Sequence, residues 1–62
     1  MSADFSAHLG KIIDFGFAGS AVRYEGRVLQ VRKNWVLFEF PCAQGRLEGW
    51  RNVRGYVIYE RV

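Results

Sequence analysis

The sequence predicts a mostly-β fold: a short N-terminal helix followed by a small, strongly bent five-stranded antiparallel barrel. Three observations carry this. The chain has 62 residues, room for one small domain and no more. The hydrophobic pattern changes from a helical spacing to alternation at Ala21. Turn-forming residues then recur at short intervals, as they do in small barrels.

Residues 2–15 read as the helix. Phe5, Leu9, Ile12 and Ile13 fall on one helical face. Ser2 or Asp4 is available to cap its start, and Gly10 weakens it, so packing must come from elsewhere. Gly16 and Gly19 bracket Phe17 and Ala18, which reads as a helix stop and a loop. Strands occupy about residues 21–62. Val22 and Tyr24 alternate with Arg23 and Glu25 in a half-buried strand. Gly26 marks a turn, bulge or sharp bend, and Val28 to Val31 continues as strand. Arg32, Lys33 and Asn34 form a polar turn. In the next strand Trp35, Leu37 and Glu39 share one side, and Val36, Phe38 and Phe40 the other. Pro41 is expected to end it, because proline cannot donate to a ladder. Cys42 to Gly45 reads as a loop, and Arg46 to Asn52 as a shorter strand broken by Gly49. Val53-Arg54-Gly55 is a tight connection into the last strand, where Tyr56, Ile58, Glu60 and Val62 share a face.

A domain of this size buries only about 60% of its unfolded surface and needs help to be stable. Cys42 is the one cysteine and His8 the one histidine, which excludes an internal disulfide and a Cys/His zinc cluster. Oligomerisation is the remaining aid. A chain that is 50% hydrophobic and 16% aromatic has apolar surface to spare for a subunit or ligand face. No metal site and no cofactor is expected. The first residues are polar, without the basic head and apolar core of a leader. No apolar run is long enough to span a bilayer. With one free cysteine, these features predict a cytoplasmic protein without membrane partners.

The net charge is +3 and it is unevenly spread. Asp4, Asp14 and Lys11 precede Gly19, whereas eight arginines and lysines stand against four glutamates after it. Arginine predominates, and its forked donors and flat cation suit phosphates and bases. The balance points to a polyanion or an acidic partner.

Catalysis is not expected. His8 and Cys42 lie in different elements, and a cysteine nucleophile needs an adjacent base. The strand glutamates are flanked by arginine or aromatic residues and read as cross-strand ion pairs. Gly10, Gly16 and Gly19 do not follow a strand and lead into a helix, as a phosphate-binding loop requires. The stronger signal is cations interleaved with aromatics at two turns. One holds Arg32, Lys33, Asn34 and Trp35; the other holds Arg51, Asn52, Arg54 and Tyr56. Arginine and asparagine read base edges, and a ring gives a base something to stack on. Brought together by the sheet, these turns would form one basic, stacking-capable RNA site comprising Arg32, Lys33, Asn34, Trp35, Arg54 and Tyr56. Trp35 also suits the barrel core, and that is where its ring is expected; Arg54 and Asn34 are expected to serve the site.

Val53-Arg54-Gly55 before a closing strand resembles the second motif of the Sm and Sm-like family: isoleucine or valine, then arginine and glycine. Tyr24-Glu25-Gly26-Arg27-Val28 is similar to the glycine and apolar follower of its first motif. The order of elements over residues 2–62 looks similar too. The resemblance implies barrels that close into rings through their edge strands and hold uridine-rich single-stranded RNA. The contacts would come from Arg32 to Trp35 and from Arg54 to Tyr56. This chain departs at two positions. Arg32 stands where the family usually has an acidic residue, and Tyr56 where a polar residue follows the arginine-glycine. The alternative reading is an SH3-like protein-interaction or regulatory module, of a phage or mobile-element type, that docks a protein partner and ignores nucleic acid. A third is a ring-forming small-barrel enzyme with its site on the symmetry axis.

Overall fold

A computed structural model describes residues 4–59. Within them a single 3-10 turn, Phe5–His8, precedes five strands: β1 Ile12–Phe17, β2 Tyr24–Arg32, β3 Trp35–Cys42, β4 Gly45–Asn52 and β5 Tyr56–Tyr59. They form one antiparallel sheet in the order β4-β3-β2-β1-β5.

The expected helix over 2–15 is therefore corrected to one short turn and a strand. The Phe5/Leu9/Ile12 spacing fits a helix, but Ile13 and Phe15 are also two apart, and both are buried in strand geometry. Gly10 adopts φ 78°, which a helix does not allow. Residues 12–17 then gain a ladder on each side, β2 on one and β5 on the other, and the β-branched and aromatic side chains suit that setting. Asp4 does not cap the turn; it instead accepts a hydrogen bond from the Ser6 hydroxyl at 2.6 Å. Ser2 lies outside the described residues. The five-strand count is met, but by different strands. The segments read separately on either side of Gly26 are one strand, β2, with an irregularity between Val28 and Gln30; β1 supplies the fifth.

Three smaller expectations also change. Gly16 is not a loop residue but a buried strand position, where an added Cβ would stand 2.5 Å from the Val22 carbonyl oxygen. Pro41 does not end β3, since it pairs with Arg46. Pairing with β2 stops at Glu39, so Pro41 lies where β3 has one free edge and a missing N–H is tolerated. Gly49 does not break β4; it sits opposite Phe38. Tyr56 to Tyr59 is strand as expected, whereas Glu60 and Val62 lie outside the described residues.

The inner face holds the core. Phe15 on β1 stacks on Phe38 on β3 at 4.3 Å between ring centroids. Phe5 from the helical turn sets its edge against both, at 6.1 and 5.9 Å, a favoured aromatic geometry. Ile13, Val28, Val36 and Val53 complete the buried cluster. Two backbone bonds pin the helical segment to β2: Gly10 N–H to the Val28 carbonyl at 2.7 Å, and Val28 N–H to the Lys11 carbonyl at 3.0 Å. Gly26 is buried beneath Phe38 and Phe40, whose rings would lie 3.0–3.2 Å from an added Cβ. That close approach explains the glycine.

The expected barrel is not closed among the described residues: β4 and β5 are the two free edges of an open sheet. After β4 the chain turns at residues 53–55 and leads β5 to β1, so no ladder joins β5 to β4.

Candidate nucleic-acid interface

The first predicted site segment is the β2–β3 hairpin turn. Arg32 pairs with Trp35 across it, and Lys33 takes the left-handed conformation at φ 53°. The second is the turn between β4 and β5. The Tyr56 N–H donates to the Val53 carbonyl at 2.9 Å, and the Arg54 N–H donates to Asn52 Oδ1 at 3.0 Å. Gly55 takes φ 82° with Phe17 packed against its Cα face.

One hydrogen bond joins the two turns: the Val53 N–H donates to the Asn34 carbonyl at 2.7 Å. Val53 itself is buried, so the second turn is anchored by its apolar residue while Arg54 remains exposed. Arg32, Lys33, Asn34, Trp35 and Arg54 thus gather at one end of the sheet, all exposed. No described carboxylate lies within ion-pair distance of Arg32, Lys33 or Arg54. A hollow of about 300 Å³ opens beside Lys33 and Asn34, with Asp4, Phe5, Ser6, Val31 and Val53 as its other walls. The hydrogen bond from Ser6 holds the Asp4 carboxyl below its ordinary pKa, so this wall stays anionic at neutral pH.

Two placements differ from expectation. Trp35 is not core: it is 50% exposed, on the opposite side of β3 from buried Val36. Tyr56 does not join it. Its ring packs on Phe15 and Phe17 at 6.0 and 5.6 Å, on the inner face. Trp35 and Tyr56 therefore lie on opposite sides of the sheet. Arg51 also belongs to the inner side. Its guanidinium lies 4.7 Å from the Tyr24 ring centre and 5.8 Å from that of Phe40, and Nη1 donates a long bond, 3.5 Å, to the Tyr56 hydroxyl.

Trp50 was the residue sequence reasoning missed. Strict alternation along β4 was the available signal, obscured by treating Gly49 as a break. Leu47 and Trp50 are three apart, so they face opposite ways. The register aligns Arg32, Trp35 and Asn52 in one row on the outer face, and Gln30, Leu37 and Trp50 in the next. The third row is Arg27, Glu39 and Glu48. There Glu39 lies 3.7 Å from Arg27 and 3.5 Å from Arg46, an arrangement that neutralises its own charge.

Other chemistry is sparse. His8 closes the helical turn and Cys42 ends β3, exposed and free. Among the described residues no three His, Cys, Asp or Glu side chains group as a metal site. No described helix is long and apolar enough to cross a membrane. Comparison with known protein families, with curated proteins and with solved structures finds no match to this chain.

Proposed function

We propose that this chain is a non-catalytic, Sm-like small-barrel module of the cytoplasm that assembles with copies of itself and holds single-stranded RNA at the joined turns. It needs no cofactor. The observation that carries this reading is the 2.7 Å bond from Val53 N–H to the Asn34 carbonyl. It supports a single site, because it holds an arginine-glycine turn beside a lysine-asparagine turn with three cations free of described carboxylates. Phosphates would meet Arg32, Lys33 and Arg54, and a base would stack on Trp35. Tyr56 serves by supporting the second turn from inside. The order β2–β3 pair, β4, arginine-glycine turn and short β5 follows the Sm-like resemblance, with one helical turn and β1 in place of its N-terminal helix.

The test is binding of a uridine-rich oligonucleotide across a salt series. Single-strand binding loses affinity with a slope near −0.7 per phosphate neutralised. Three contacts predict a log–log slope of about −2. Arg54→Ala should weaken binding and flatten the slope by about 0.7 without moving the thermal midpoint, since the side chain is exposed. A salt-independent affinity, or an Arg54→Ala protein that binds as the parent does, would sink the reading.

One observation favours the SH3-like, protein-docking alternative. Phe17 and Leu47, 54% and 62% exposed, leave apolar side chains uncovered on the inner side of the sheet. A monomer that ignores RNA but captures a peptide on these exposed apolar side chains would favour it.

A further inference from the structure

The outer face beyond the two turns carries a feature that the turns alone do not use. Trp35 and Trp50 are 50% and 45% exposed, and both lie on the outer side of the β3–β4 pair. Trp35 pairs with Asn52 and Trp50 with Leu37, so the two tryptophans are diagonal cross-strand neighbours. Such positions are about 7–8 Å apart, a spacing that consecutive nucleotides of an extended strand can match. We infer that this face is a two-base stacking platform for single-stranded RNA, continuing the track from the basic turns across Trp35 to Trp50. The inference rests on the RNA reading above and extends it to residues that reading does not include.

Charge and polarity select this occupant. At the turn end stand Arg32, Lys33 and Arg54. Their charge would hold phosphates while the rings take the bases, the division of labour by which proteins bind single strands. Trp35 lies between Arg32 and Asn52, and Gln30 shares the row of Trp50. Each ring therefore has a hydrogen-bonding side chain in its row, positioned for base edges. A protein anchor would need a continuous apolar surround that excludes water, and polar side chains interrupt it here. At the other end Glu48 follows on the same face, two residues before Trp50 and opposite Glu39. Glu39 is engaged by Arg27 and Arg46, whereas Glu48 has no described ion-pair partner. Its carboxylate repels a phosphate backbone and ends the track after two bases. Trp50 is 45% exposed on the outer face, so its ring is open to a ligand from above the sheet.

These two tryptophans are the only ones in the chain, so intrinsic fluorescence reports this face. The experiment uses the full chain and fluorescein-labelled hexauridylate at low salt. It reads RNA anisotropy, tryptophan quenching and the far-ultraviolet circular dichroism of each variant. Hexauridylate should quench the emission. Trp50→Ala should weaken binding about tenfold, the scale of one lost stacking contact, whereas Trp50→Phe should retain most of the affinity. If Arg54→Ala loses affinity but Trp50→Ala does not, or the emission is unquenched, the platform is wrong and the turn site stands. If the parent takes up no RNA, both readings fall. If Trp50→Ala unfolds, Trp50→Phe decides: a folded protein with preserved quenching and affinity supports the platform, and one whose affinity falls as far as Arg54→Ala overturns it.

Discussion

Gly16 is the position where a single methyl group has the clearest consequence. A Cβ there would stand 2.5 Å from the Val22 carbonyl oxygen, closer than any real contact, and the obstacle is backbone that cannot rotate away. Gly16→Ala should cost about 1–3 kcal/mol, the scale of overpacking a tight site. Gly49 is the control. Nothing lies within 4 Å of its Cβ position, and alanine loses less backbone entropy than glycine in a strand. Gly49→Ala should be neutral or slightly stabilising, and urea midpoints of the two variants measure the difference. Asp4 offers a second residue-scale test. The Ser6 hydrogen bond lowers its pKa from 3.8, so the ionised carboxylate is the form favoured by folding. That contribution is present above the unfolded value and is lost as pH falls through the lower folded one. A carboxyl titration followed by NMR should show a midpoint below 3.8 that rises in Ser6→Ala. A midpoint unchanged by the substitution would contradict the bond. At this scale Trp35 illustrates what the sequence left open. Alternation puts it opposite Val36 and Phe38, but period alone does not say which face is the core. Glu39 on the same side was the clue that Trp35 faces out.

The β2–β3 hairpin turns through a lysine in a glycine-like conformation. Left-handed backbone costs an ordinary residue about 1–2 kcal/mol, whereas asparagine tolerates it. Lys33→Asn should therefore raise stability by up to about 1 kcal/mol. It also removes a cation from the proposed RNA site, so affinity should fall and the salt slope flatten by about 0.7. Stability and binding moving in opposite directions distinguish a site residue from a structural one; both falling together would mean that Lys33 supports the turn. This hairpin was legible because a polar break between two alternating runs has one plausible geometry. The Val53–Gly55 turn was legible for a similar reason, in that a glycine after a charged residue marks reversal. β1 was not. Its first residues satisfy helical and strand spacing together, and the arbiter is tertiary: Ile12–Phe17 is paired on one side by the next strand, β2, and on the other by β5, far along the chain. The clustering of Ile12, Ile13, Phe15 and Phe17 was the local hint against a helix. Pro41 misled for a related reason. Its effect depends on whether a partner strand reaches that edge, and β2 does not.

For the molecule as a whole, the described core of seven buried apolar residues is matched by eight large apolar side chains that stay exposed. Among the described residues both sheet edges are open, and β4 presents eight residues of strand along one of them. An unpaired edge beside exposed apolar surface is a template for another chain. The proposed assembly would use it, and Leu47 identifies where. It is 62% exposed on the edge strand, opposite Phe40, on the inner face that Phe17 and Tyr24 continue. Burying an exposed leucine against a second copy contributes about 1.5–3 kcal/mol; burying a glutamate there without a partner opposes it. Light scattering should therefore show a defined multimer for the parent, with a mass that persists at high salt because apolar burial and backbone pairing are insensitive to screening. RNA, held by charge, should dissociate over the same salt range. Leu47→Glu should give a monomer whose thermal midpoint is lower and no longer rises with protein concentration, since the stabilisation from association is lost. A parent that is monomeric at every salt concentration would remove the assembly from the proposal. The turn site, whose residues lie within one chain, would then be judged by RNA binding alone.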